Sequence, residues 1–265
     1  MTSHPLTIAI AQMDVPAGRP EDNVARARHF AAGARKAGAD VLVLPELWLH
    51  GYDLTRAKEW ASPLGEGGFV QMASLAREYQ LHLVGSILER HDSGISNTAA
   101  MFDRTGRLLG HYRKIHLFRL MQEHRYLVAG DHATLCSTPW GLTGLGICYD
   151  LRFPELFRTM ALAGARLFLI PAQWPEKRLE AWLLLARARA AENELIVAAC
   201  NRVGTDGEVS FPGRSIVVDP WGNTLAEGDD QETLLVAQVD LAEIDKVRRY
   251  LPVYRDRNPA AYIVK

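Results

Sequence analysis

An α/β fold is the class this sequence predicts, on three observations. Short apolar runs of strand length alternate with longer stretches of helical period along the whole chain. Two passages, Gly38-Ala39-Asp40 and Gly164-Ala165-Arg166, each stop a helical pattern and feed an apolar run, as a glycine just past a helix end does. Two turn signals, Asp103-Arg104-Thr105-Gly106 and Asp219-Pro220-Trp221-Gly222, sit where tight turns join antiparallel neighbours, so antiparallel pairs are expected beside parallel units.

Taken in order, the runs Leu6–Met13, Val41–Leu44, Leu81–Ile87, Thr98–Phe102 and Leu108–Tyr112 read as strands of the first half. Leu142–Ile147, Leu167–Ile170, Leu195–Ala199, Ser215–Val218 and Leu234–Val239 read as strands of the second, enough in all for two sheets. Helical patterns cover Pro20–Ala37, Gly68–Tyr79, Pro154–Ala163, Arg178–Glu194 and Leu241–Tyr250. Pro20 and Pro154 stand in first turns, where a missing N–H costs nothing. The alike passages at Gly38 and Gly164 hint at two related layers, although two instances do not make a repeat. Gly65-Glu66-Gly67-Gly68 reads either as a loop over a site or as an ordinary connection. No Pro/Ser-rich linker or charge block divides the 265 residues, so one domain spanning 1–265 is expected. The polar, poorly periodic residues after Leu251 are expected to form an extended C-terminal arm at a subunit interface.

Composition narrows the function. The chain is 48% hydrophobic and 23% charged, as globular proteins are, and its 30 Lys and Arg balance 31 Asp and Glu. That balance offers no basic field for nucleic acid or an anionic membrane, which leaves a small molecule as the expected partner. Three cysteines, Cys136, Cys148 and Cys200, with no C-x-x-C pair argue against a disulfide framework or a structural zinc site and fit a reducing compartment. No basic segment precedes the first strand and no run of about 18 apolar residues occurs, so neither signal peptide nor membrane span is expected, and the cytoplasm is the expected location.

Chemistry in α/β sheets gathers beyond strand ends. That filter selects Glu46 after Val41–Pro45, Lys114 after Leu108–Arg113, Cys148 after Gly141–Ile147 and Gln173 after Leu167–Ala172. Cys148 is read either as a core thiol or as a nucleophile on a sharp turn before Pro154, where free N–H groups and the helix dipole would lower its pKa. Glu46, ahead of Leu47-Trp48-Leu49, is read either as a solvated loop acid or as a buried carboxyl with a raised pKa suited to a general base. Gly144-x-Gly146 lacks the third glycine of a dinucleotide fingerprint, and there is no P-loop, no Gly-x-Ser-x-Gly and no metal-spaced histidine pair.

Together these motifs resemble the nitrilase superfamily of carbon–nitrogen hydrolases, almost end to end. Its Glu-Lys-Cys triad matches Glu46 in Leu44-Pro45-Glu46, Lys114 in Arg113-Lys114-Ile115-His116-Leu117, and Cys148 in Gly146-Ile147-Cys148-Tyr149-Asp150-Leu151-Arg152-Phe153-Pro154-Glu155. A second glutamate of the family, which helps position substrate, matches Glu123 in the segment Met121–Asp131. The resemblance implies an α-β-β-α sandwich of four layers that pairs into a homodimer. Lys114–Arg119, Ala172–Pro175, Ala188–Asn193 and Cys200–Gly204 look like the bacterial ω-amidases, enzymes associated with 2-oxoglutaramate. On that resemblance Cys148 is the nucleophile and forms a thioester, Glu46 the general base, and Lys114 with the Tyr149 N–H the oxyanion donors. Arg152 and Arg178 are the candidates to hold a substrate carboxylate, while Tyr52, Gln173 and Trp174 shape the pocket. No cofactor and no metal are implied. Deaminated glutathione, an N-carbamoyl compound or a nitrile would use the same triad. Two other classes stand as rivals: a metal hydrolase built on Glu46, Glu123 and histidines, and a non-catalytic protein that binds small amides.

Overall fold

A computed structural model describes residues 5–262. The first half of the chain contains β1 (Leu6–Gln12), α1 (Pro20–Lys36), β2 (Val41–Val43), α2 (Ala57–Trp60), α3 (Gly67–Tyr79), β3 (His82–His91), β4 (Gly94–Phe102) and β5 (Leu108–Arg113). The second contains β6 (Leu135–Thr138), β7 (Gly141–Leu145), α4 (Pro154–Leu162), β8 (Leu167–Ala172), α5 (Leu179–Asn193), β9 (Ile196–Asn201), β10 (Val203–Asp206) and β11 (Val209–Pro212). It closes with β12 (Ile216–Val218), β13 (Thr224–Glu227), β14 (Thr233–Val239), α6 (Ala242–Tyr250) and α7 (Val253–Asp256).

The strands form two six-stranded sheets of matching design, β14-β1-β2-β3-β4-β5 and β6-β7-β8-β9-β12-β13, with β10 and β11 as a separate hairpin. In each, three parallel strands, β1-β2-β3 or β7-β8-β9, carry one antiparallel strand on one flank and two on the other. The likeness of the Gly38 and Gly164 passages belongs to this symmetry: Gly38 and Gly164, both at positive φ (71° and 101°), end α1 and α4 and feed the central strands β2 and β8. A side chain there would be held in the left-handed region, which glycine alone enters without strain.

Residue parity along the strands builds the layers. In β1, Leu6, Ile8 and Ile10 face the core between the sheets, while Ala9 and Ala11 face Ala27, Phe30, Ala31 and Ala34 of α1. Val41 and Val43 of β2 share the first core, and Leu42 the second. The other sheet does likewise: Phe157 and Met160 of α4 and Trp182, Ala186 and Ala190 of α5 pack on it from outside. Helices, sheet, sheet, helices is the α-β-β-α sandwich that the sequence predicted.

Some elements differ from expectation. β3 and β4 run past their apolar cores to Arg90-His91 and back from Gly94, a longer hairpin than the hydrophobic runs mark. β6, β10, β11 and β13 are not marked by the sequence: at four residues each, they are too short to show a period-two alternation. The predicted strand Leu142–Ile147 stops at Leu145, where the chain bends toward Cys148. The Asp103 and Asp219 turns do join β4 to β5 and β12 to β13, each aspartate accepting backbone N–H groups two and four residues on. Gly65–Gly68 leads directly into α3, as an ordinary connection. Between Pro252 and Tyr262 the arm is not extended: α7 and a 3-10 turn at Pro259–Ala261 fold it, and the Tyr254 hydroxyl donates to the Asn193 carbonyl.

Candidate active site

The facing sheets bring four loop positions to one end of the sandwich. Glu46 follows β2, Lys114 follows β5, Cys148 opens a 3-10 turn (Cys148–Arg152) after β7, and Gln173 follows β8. Glu123 enters from the connection between β5 and β6, on a 3-10 turn of its own.

Lys114 lies at the centre. Its Nζ donates to Glu46 Oε1 at 2.7 Å and to Glu123 Oε1 at 2.7 Å, and all three side chains are fully buried. Asn97 Nδ2 also donates to Glu46 Oε1, at 2.7 Å, while the Gln173 backbone N–H donates to Glu46 Oε2 at 2.9 Å. Gln173 Nε2 holds the Glu46 carbonyl at 2.7 Å. Glu123 Oε2 accepts the Phe118 N–H at 2.5 Å, and the Tyr52 hydroxyl donates to Glu123 Oε1. The ammonium thus occupies the space between the two carboxylates, where the metal reading would seat its ion.

Burial is the largest influence on the ionisation of Glu46, Lys114 and Cys148. It raises the Glu46 carboxyl above the ordinary value, helped by Glu123 and opposed by Lys114, as expected for a buried base. It pulls Lys114 down, but Glu123 and Glu46 outweigh it and keep the ammonium charged. The Cys148 thiol corrects the sequence-based expectation of a lowered pKa. Burial and the nearby Glu46 and Glu123 carboxylates raise it well above the usual thiol range, against the opposing pull of Lys114. The α-helix starts at Pro154, as the sequence indicated, but a 3-10 turn over Cys148–Arg152 separates it from the thiol, and burial and the two carboxylates outweigh its dipole. Cys148 itself sits at φ 45°, a left-handed conformation unusual for a residue with a side chain.

Beside the thiol a narrow cleft is lined by Phe118, Cys148, Tyr149, Arg152, Trp174, Pro175 and Arg178. The Arg152 guanidinium lies 5.1 Å from the Trp174 ring centre and that of Arg178 5.3 Å from the Phe118 ring centre. Neither arginine makes an ion pair among the described residues. Trp174 is fixed by its N–H to Asn201 Oδ1 at 2.7 Å and by its indole N–H to the Arg178 carbonyl at 2.8 Å.

Of the residues expected to shape the pocket, Trp174 lines it, as do Arg152 and Arg178, the candidates for the substrate carboxylate. Gln173 and Tyr52 do not: Gln173 braces Glu46 from behind, and Tyr52 is spent on Glu123. Residues the sequence did not single out are Asn97, a polar side chain buried mid-strand in β4, Phe118 on the cleft wall, and Asp150 in the turn after the thiol. Asn97 carried a signal, since a polar residue at a core-facing strand position requires a partner.

Comparison with known proteins agrees with this geometry. The carbon-nitrogen hydrolase family model matches residues 7–249. The chain is 42% identical, over 94% of its length and 96% of the relative's, to the 2-oxoglutaramate amidase of Bacillus subtilis (strain 168). To the human Omega-amidase NIT2 it is 34% identical over 97% of both chains. The crystal structure of a carbon-nitrogen hydrolase from Helicobacter pylori G27 superposes with a TM-score of 0.90 at 28% identity, covering 98% of this chain and 97% of that one. Fold and relatives agree, and the chain belongs to the carbon-nitrogen hydrolase family, enzymes that hydrolyse carbon–nitrogen bonds other than peptide bonds.

Proposed function

We propose that this protein is an ω-amidase that releases ammonia from the terminal amide of a small oxo acid of the 2-oxoglutaramate type. The observation that carries the reading is the buried Glu46–Lys114–Glu123 array beside Cys148, next to a cleft lined by two arginines that have no carboxylate partner among the described residues.

Each residue has a role that its surroundings support. Cys148 Sγ attacks the amide carbon while the Glu46 carboxylate, near enough to the thiol to raise its pKa, takes its proton. A raised thiol pKa suits this order of events, since the proton leaves as the carbon–sulfur bond forms and not before. The oxyanion meets the Lys114 ammonium and the Tyr149 N–H, donors of a kind commonly worth about 3 kcal/mol each. Glu46 returns the proton to the departing ammonia, leaving a thioester, and then takes a proton from the water that releases the acid. Glu123 keeps the lysine aimed and orients the amide. Arg152 or Arg178, both lining the cleft beside the thiol, receives the carboxylate at the far end of the substrate.

The same reading takes residues 1–265 as one such hydrolase domain, working in the cytoplasm as a homodimer, with the residues after about 251 at the subunit contact. Ammonia release from 2-oxoglutaramate, beside succinamate, a nitrile and deaminated glutathione, tests the substrate. Turnover of the oxo-amide in preference to the others, lost in Cys148→Ala, is expected; preferred turnover of another compound would reassign the substrate. Size-exclusion chromatography with light scattering tests the dimer, and a monomer would refute it.

A further inference from the structure

We propose that Asp150 is a positioning residue for the reaction, a buried carboxylate that locks the nucleophile turn to the lysine segment. The inference rests on Cys148 acting as the nucleophile, and its observations lie outside the Glu-Lys-Cys array. Asp150 is fully buried and gathers four hydrogen bonds from two separate stretches of chain. Oδ2 accepts the Ile147 N–H at 2.8 Å and the Tyr112 hydroxyl at 2.9 Å. Oδ1 accepts the His116 N–H at 3.2 Å and lies 2.7 Å from His116 Nδ1.

These partners bracket the reacting groups. Ile147 immediately precedes Cys148, and the Asp150 N–H returns to the Ile147 carbonyl at 3.0 Å, so the residues around the left-handed Cys148 are closed into one loop. Tyr112 and His116 stand two residues either side of Lys114, and the Tyr112 hydroxyl also accepts the Ile115 N–H at 3.2 Å. His116 is held flat against Phe153, ring centres 3.6 Å apart, at the other end of the nucleophile turn. From α5, the buried Arg189 clasps the Leu151 carbonyl with Nε at 3.0 Å and a terminal nitrogen at 2.8 Å. One carboxylate therefore sets the distance between the segment that carries the thiol and the segment that carries the oxyanion donor. Only an ionised carboxylate offers acceptors to all four donors; an asparagine of the same shape would turn its NH2 toward two of them.

Asp150→Asn is the test, with activity read on whichever amide the wild type turns over. Because small misplacements of reacting groups cost about a hundredfold, kcat is expected to fall by about that factor while KM stays within about threefold. The pH profile of Cys148 alkylation by iodoacetamide, a readout that needs no substrate, is expected to shift, with circular dichroism and the thermal transition reporting a folded protein. Should Asp150→Asn fail to fold, His116→Ala removes one donor from the less buried side and is expected to lower kcat about tenfold. His116→Asn, which restores a side-chain N–H, is expected to recover most of that loss. A folded Asp150→Asn with wild-type kcat and an unshifted alkylation profile would overturn the proposal, as would His116→Ala and His116→Asn that are equally active. Failure of the wild type on every ω-amido acid would overturn the substrate reading instead, and the alkylation profile would still decide Asp150.

Discussion

Glu46 and Lys114, 68 residues apart in sequence, meet at 2.7 Å with neither side chain reaching solvent. Such a pair is costly to bury and worth retaining only where its members are well partnered. Here the lysine has a second carboxylate, Glu123, and Glu46 has Asn97 and the Gln173 N–H. The array is fully connected, so removing one member exposes the others to an unpaired charge in a low-dielectric site.

Lys114→Met should therefore both inactivate and destabilise. The change leaves Glu46 and Glu123 facing each other with no counter-charge, and breaking a buried pair in this way typically costs about 3–5 kcal/mol. Urea unfolding monitored by circular dichroism measures it. A loss under about 1 kcal/mol would mean the carboxylates find other partners or one simply takes up a proton.

Glu46→Gln preserves size and most hydrogen bonds but removes the base. Turnover is expected to fall by about 10²–10⁴-fold, the usual contribution of a positioned acid–base group. In the wild type, activity should fall as pH drops through the raised Glu46 pKa, because the protonated carboxyl cannot accept the thiol proton. A Glu46→Gln enzyme with near-normal kcat would remove Glu46 from that role.

How much of this was legible in the sequence depends on what each residue requires. Glu46, Lys114 and Cys148 could be found because strand ends in an α/β sheet are readable from apolar runs, and their types form a known pattern. The direction of the Cys148 pKa could not: a helix start shows in Pro154 and Glu155, but depth of burial and the approach of Glu46 and Glu123 are long-range facts. Tyr52 and Gln173 were correctly drawn to the site yet misplaced within it, since proximity to Glu46 in sequence or sheet does not say which side of the carboxylate a group occupies. Asp150 was hidden for the same reason, because three of its four donors come from Tyr112 and His116. The two-sheet architecture was readable from the central strands, whereas β10, β11 and β13, at four residues each, are too short for a periodic pattern to register.

Arg152→Ala and Arg178→Ala separate the two candidate carboxylate partners. Loss of a hydrogen bond to a charged group costs about 1.5–3 kcal/mol, so the residue that holds the substrate should raise KM for an anionic ω-amide about ten- to a hundredfold. A neutral amide of the same length should be little affected. Steady-state kinetics on both compounds check it, and equal effects on the two would argue for a packing role on Trp174 or Phe118.

Iodoacetamide should label one thiol of the native protein. Cys136 and Cys200 are 0% exposed and enclosed by the core, whereas Cys148 is 5% exposed and opens on the cleft. Peptide mass mapping after partial alkylation is expected to find Cys148 modified in step with lost activity. Modification of Cys136 or Cys200 at the same rate would show that the core opens as readily as the site.

His50 predicts a pH dependence of stability away from the active site. Burial, with Arg56 adding to it, pushes its pKa down to about 4, from an ordinary value near 6.5. Below that ordinary value the unfolded chain takes up a proton that the folded protein refuses, so stability should fall as pH drops from about 6.5 to about 4 and no further on this account. Melting temperatures across that window check it; His50→Gln should flatten the slope, and an unchanged slope would assign it to other groups.

The most direct measurement is the mass of the enzyme during turnover. Rapid acid quench of the wild type with 2-oxoglutaramate, followed by intact and peptide mass spectrometry, is predicted to show a species heavier by the substrate less ammonia, with the added group on Cys148. Turnover that persists in Cys148→Ala, with no such adduct in the wild type, would contradict the thioester mechanism.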